Sequence, residues 1–168
     1  WAQKYPGVAC GPIAEDEIDR FADFMHALVA RYSQPPYNVK FWEIGNEPDV
    51  DPSLVPQDYL FGCWGDIDDT AYYGGDEYGQ MLIVVSQAIK AADPSARVWV
   101  GGLLLATPNT TDPALGKPEN FLRGILAAGA GPYIDVVPYH WHPSYWNVTA
   151  DYDYDVDDTN LLDGPWNA

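Results

Sequence analysis

An amide and a carboxylate, Asn46 and Glu47, stand side by side where a strand-forming run gives out. Val39, Phe41, Trp42 and Ile44 are β-branched or aromatic, and no breaker lies among them. Gly45 ends the run, and Pro48 cannot donate to a sheet ladder. A carboxyl group at a strand end can pass a proton to a leaving oxygen, and an amide beside it can hold a hydroxyl. A second polar set, Tyr139, His140, Trp141 and His142, closes the run 134–140. His140 and His142 share a face if the strand persists. They read as polar residues at a loop entrance, as substrate-binding groups, or as a zinc pair. No other His or Cys lies nearby in sequence, which counts against zinc.

Other residues admit more than one chemistry. Trp1, Trp64, Trp141 and Trp146 fall in predicted loops, where an indole can serve as a platform for the apolar face of a sugar ring or simply pack. Trp141, at a strand end, is the first candidate for the platform. Glu43 alternates with Trp42 and Ile44 and is expected on the opposite face, as a structural carboxylate bound to a basic residue of another strand. Asp151, Asp153, Asp155, Asp157 and Asp158 could bind calcium, but they lack the glycine and terminal Glu of an EF-hand loop and read as a solvated acidic loop.

Three helical segments must position these groups. Ile18, Phe21, Ala22, Met25, Leu28, Val29 and Tyr32 recur at spacings of three and four, which predicts an amphipathic helix over 15–32. Acidic residues crowd its first turn and Pro35-Pro36 stop it. A second helix is expected over 77–92, capped by Asp76 and ended by Asp93-Pro94. A third begins at Pro118 and carries Phe121, Leu122, Ile125 and Leu126. Strands are expected over 39–45, 97–105 and 134–140. Segment 46–75 has little periodicity, and a loop of that length is commonly functional. Alternation of helix and strand argues for an α/β fold with a parallel sheet.

The run Trp42-Glu43-Ile44-Gly45-Asn46-Glu47-Pro48 closely resembles the signature that ends the fourth barrel strand of clan A glycoside hydrolases, above all of relatives in families 39 and 5. The resemblance implies a (β/α)8 TIM barrel, with chemistry placed where its parallel strands end. It makes Glu47 the catalytic general acid/base of a retaining enzyme and Asn46 the ligand of the sugar 2-hydroxyl. It puts His140 at the end of the sixth strand among the substrate-binding groups, with His142 two residues on; Trp141 and Trp1 join that set as aromatic platforms read from their own positions. The clan often has a Tyr where His142 stands, a departure that loosens the role of this pair. A closed barrel needs eight strands, so residues 1–168 read as the middle of a catalytic domain, roughly strand 4 to strand 6. The remaining barrel segments would come from elsewhere in a longer chain. The nucleophile, a Glu ending the seventh strand in the clan, is expected outside this sequence. The implied substrate is a β-linked oligo- or polysaccharide, with no cofactor. A carbohydrate-binding barrel without hydrolytic activity is the alternative.

Composition limits the partners. The chain of 168 residues carries 25 acidic and 8 basic side chains, a net charge of −17. That disfavours nucleic acid and anionic membrane surfaces, which attract basic patches. No apolar run approaches the roughly 20 residues that span a bilayer. Cys10 and Cys63 fit one disulfide, two buried thiols or nothing of note. Both lie in loops on the side of the chemistry and are expected close in space. A bond between them would presuppose an oxidising compartment, in keeping with an extracellular or periplasmic location. Asn109 and Asn147 begin glycosylation sequons.

Overall fold

The computed structural model of the chain describes residues 1–5, 11–55, 62–105 and 112–140. Among them the elements run α1 (Ile18–Tyr32), β1 (Phe41–Ile44), α2 (Gly75–Ala92), β2 (Arg97–Val100) and α3 (Phe121–Ala127), a mixed α/β arrangement. Short 3-10 turns precede α1 at Glu15–Glu17 and α3 at Pro118–Asn120. The two strands are parallel, Phe41 opposite Arg97 and Ile44 opposite Val100.

The core forms because one stripe of each helix and one face of each strand are apolar. α1 buries Ala22, Met25 and Val29, and α2 buries Tyr78, Met81, Leu82, Val85 and Ile89 against Ile44, Val98 and Val100. Phe121 and Ile125 of α3 close the cluster. Asp76 does not cap α2. The helix begins at Gly75, two residues before the expected start, behind Gly74 in the left-handed region (φ 76°), and Asp76 lies inside the first turn, where its charge suits the dipole. A Cβ on Gly74 would run into the Trp64 carbonyl, and one on Gly75 into that of Phe121. The Gly-Gly pair is therefore what lets this helix end fit.

The strands are shorter than the apolar runs suggest, and the third run forms no regular strand. Residues 134–140 align with β2 and the segment after it through two isolated parallel bridges, Trp99 of β2 to Val136 and Leu103, beyond the strand, to Tyr139. From Trp99 to Leu103 is four residues, from Val136 to Tyr139 only three. The extra residue falls at Gly101-Gly102, and Pro138, which has no N–H, accepts from Leu103 without donating back. Such a mismatch interrupts a ladder without ending the alignment. The face carrying Phe41 is uncovered among the described residues: Phe41 is 63% exposed and meets Trp99 edge to face at 5.6 Å.

Ion pairs gather at the starts of the strands. Lys40 Nζ lies 2.6 Å from Asp93, and Asp135 joins Lys90 of α2 to Arg97 of β2, each at 2.8 Å. The Lys40 ammonium, helped by Ser95, holds the Asp93 carboxyl down to about 2. Desolvation would raise Asp135, but Lys90, the Val98 N–H and Arg97 outweigh it and bring that carboxyl also to about 2. Both folded values lie below the unfolded one of about 3.9, so the two groups stabilise the fold fully above it, and that stability is lost as pH falls toward 2. The urea midpoint should accordingly drop between about pH 4 and pH 2, and Asp135→Asn should flatten the drop. An unchanged profile in that variant would remove Asp135 from the account.

Candidate active site

Two left-handed residues shape the turn after β1. Gly45 takes φ 91°, as glycine can, and Glu47 takes φ 47°, which a non-glycine residue holds only under constraint. The Glu47 N–H donates to the Gly102 carbonyl (3.1 Å), and its own carbonyl accepts from Val50 (3.3 Å). Glu47 is thereby buried, 7% exposed, while Asn46 beside it is exposed.

His140 arrives from the third run. Its N–H donates to the Leu103 carbonyl at 2.9 Å, and its ring Nδ1 lies 2.9 Å from Glu47 Oε1. An ionised Glu47 can only accept, so Nδ1 then carries the proton; a protonated Glu47 reverses the roles. The pair can share and pass a proton between residues 93 apart in the chain. Gly102 makes room for it: the atoms closest to a Cβ built there all belong to the His140 ring. Gly102→Ala should displace the imidazole and break the contact with Glu47 at little cost in stability, because the ring can turn away. A His140 ring signal that still responds to Glu47→Gln in that variant would contradict this.

Sequence reasoning singled out neither Asp49 nor Tyr78 for this region. Asp49 is 1% exposed and accepts from the N–H groups of Leu104 (2.9 Å) and Leu105 (2.7 Å). Burial pushes its carboxyl up to about 6 against these bonds, and the charge of Glu47 adds to the rise. Tyr78, fully buried, donates its hydroxyl to the Ile44 carbonyl (2.5 Å) and accepts from the Gly101 N–H (3.0 Å), tying the ends of β1 and β2 together. Burial raises its phenol well above the usual range. The position of Asp49, two residues beyond Glu47, was the available signal, and a polar tip on the apolar stripe of α2 was that for Tyr78.

No protein-family model, characterised protein or solved structure matches this chain.

The other candidates are distributed unevenly. Glu43 lies on the exposed face of β1 and accepts from the Gly102 N–H (2.8 Å), and among the described residues no basic side chain of another strand pairs with it. Trp1 is 74% exposed and meets Phe24 of α1 edge to face at 6.3 Å. Trp64 packs edge-on against Tyr78 and, with Asn46, Ile44, Phe21 and Ile13, lines a cavity of about 240 Å³. Glu47 and His140 are not in the wall of that cavity. Trp141, His142, Trp146, both sequons and the Asp run 151–158 lie outside the described residues. Cys63 is buried and disulfide-bonded; the other cysteine, Cys10, lies outside the described residues. Among the described residues no group of three or more His, Cys, Asp or Glu is placed to hold a metal ion, and no helix is long and apolar enough to cross a membrane.

Stability should respond to Asp49 as well. Its folded value of about 6 lies above the ordinary 3.8, so the fold holds the proton more tightly than the unfolded chain does. Stability should therefore fall as pH rises from about 4 to about 6. Asp49→Asn should remove that limb of a Tm-versus-pH curve, whatever it does to Tm itself. A limb of unchanged slope would reassign the titration to another group.

Proposed function

We propose that the protein is a retaining glycoside hydrolase acting on a β-linked oligo- or polysaccharide, with Glu47 as general acid/base and Asn46 holding the 2-hydroxyl of the sugar. The observation that carries the reading is the 2.9 Å contact between Glu47 and His140, formed by a buried carboxyl group just past the end of one parallel strand and an imidazole from the next aligned segment but one. Groups collected at the C-terminal ends of parallel strands are what an α/β barrel uses for chemistry. The resemblance around Trp42 to Pro48 supports the same reading.

On this reading the chain is part of a barrel, and a second carboxylate on a seventh strand stands roughly 5 Å from Glu47. Glu47 protonates the glycosidic oxygen as the second carboxylate attacks the anomeric carbon. Glu47 then takes a proton from the water that releases the sugar. His140, bonded to Glu47, holds the carboxyl group in one orientation through both steps. The uncovered face around Phe41 fits an inner barrel surface that the remaining strands would complete.

The test is the first-formed anomer released from aryl β-glycosides by the chain with its flanking barrel segments, followed by proton NMR. Release of the β-anomer first is expected. Release of the α-anomer first excludes the retaining mechanism, and binding without cleavage favours a carbohydrate-binding barrel.

A further inference from the structure

We propose that Asp49 is a positioning residue for the candidate acid: its carboxylate clamps the turn that carries Glu47 to the segment on which His140 is seated, and so fixes the contact between the two. The inference rests on the reading of Glu47 as the working carboxyl group.

The clamp has two jaws. One Asp49 oxygen accepts from Leu104 N–H at 2.9 Å and the other from Leu105 N–H at 2.7 Å. Leu103, the preceding residue, donates to the Pro138 carbonyl and accepts from the His140 N–H. A continuous path of bonds and hydrogen bonds thus runs from Glu47 through Asp49, Leu104 and Leu103 to the backbone of His140. It closes through the side chains, His140 Nδ1 on Glu47 Oε1. Two residues that the clamp ties together are in the left-handed region, Leu105, which donates to Asp49, at φ 54° and Glu47, two residues before Asp49, at φ 47°. Non-glycine residues stay there only where their surroundings over-determine them. The clamp and the Glu47 N–H bond to Gly102 supply that constraint.

The chemistry of the clamp asks for a carboxylate. Two convergent N–H donors need two acceptor oxygens. Asparagine offers one oxygen, and its NH2 group would meet the other N–H donor to donor. A tie between two loops could have been built from neutral groups. Asp49 is instead 1% exposed, and burial raises its carboxyl while Glu47 adds to the rise. The titratable groups facing it are Glu47, with His140 behind it, and the phenols of Tyr73, Tyr78 and Tyr139, each of which feels its charge. Asp49 is thus electrically as well as mechanically coupled to Glu47.

The test is a double-mutant cycle read on the ring nitrogens of 15N-labelled His140 in the intact protein, comparing wild type, Glu47→Gln, Asp49→Asn and the double variant. Asp49→Asn alone should move the His140 signal, and adding Glu47→Gln to it should then do little. If Glu47→Gln shifts His140 equally with and without Asp49, the clamp does not position the pair and the proposal is overturned. In turnover, Asp49→Asn should lower kcat by about a hundredfold with KM changed little, the signature of a misplaced group. A wild type that cleaves no glycoside defeats the hydrolase reading alone, because the His140 cycle still decides the clamp. Should Asp49→Asn fail to fold, the wild type suffices. The amide protons of Leu104 and Leu105 should titrate with the Asp49 carboxyl carbon, and His140 should follow the same midpoint. Amides indifferent to that titration overturn the proposal.

Discussion

On the proposed hydrolase reading, Glu47→Gln should lower hydrolysis of an unactivated β-linked oligosaccharide by about 10²–10⁴-fold, the usual contribution of a positioned general acid. Glutamine keeps the size and shape of the side chain, but its NH2 replaces one acceptor oxygen and it has no acidic proton to give. The loss should depend on the leaving group. A sugar alkoxide must be protonated as it departs, whereas an activated aryl oxide leaves as the anion. Formation of the glycosyl-enzyme from aryl glycosides should therefore suffer far less than cleavage of the oligosaccharide. Its breakdown should slow in turn, because water then lacks a base. Azide, which needs no base, should restore turnover of the aryl substrates and give the glycosyl azide with retained configuration. The measurement is kcat/KM on both substrate classes, with and without azide. Near-normal cleavage of the oligosaccharide by the variant would take the acid role from Glu47.

The difference between what sequence and structure disclose is physical. The faces of α1 and α2 follow from periodicity, since burial of a stripe is a local property of a helix: Met25 and Val29 of one, Leu82, Val85 and Ile89 of the other, are buried as their spacing requires. The strand 39–45 was also legible from its residues, although only Phe41–Ile44 pairs regularly. The interruption at Gly101-Gly102 was not, because it arises from a count mismatch between two segments far apart in the chain. The same holds within the site. Asn46 and Glu47 stand out because their neighbours in sequence mark a strand end. The role of Gly102 depends on where His140 lies, that of Asp49 on the amides of Leu104 and Leu105, and the partner of Glu43 is a backbone group with no sequence signature.

Tyr78→Phe should cost about 2 kcal/mol or more, and the cost should appear in the geometry of the strand ends as well as in stability. The ring stays, so packing against Trp64 and Phe121 is kept, with centroids 5.6 and 5.5 Å away. Only the hydroxyl goes, leaving the Gly101 N–H and the Ile44 carbonyl without the oxygen that joins them. A buried polar group deprived of its partner costs about 1–3 kcal/mol. Ile44 and Gly101 flank the two turns that carry the candidate site. Gly45 and Asn46 follow the first, and Gly102, which accepts from Glu47 and makes room for His140, follows the second. The hydroxyl is thus a cross-tie beneath the pair, and without it the two turns should separate. Urea denaturation of Tyr78→Phe should show a lowered midpoint with an unchanged slope, as expected when stability alone is altered. Amide exchange at Gly101 should speed up by more than at Val98, deeper in β2, if the loss is felt first at the strand ends. Uniform acceleration across β2 would make Tyr78 a general core residue, and no change in midpoint would remove the cross-tie altogether.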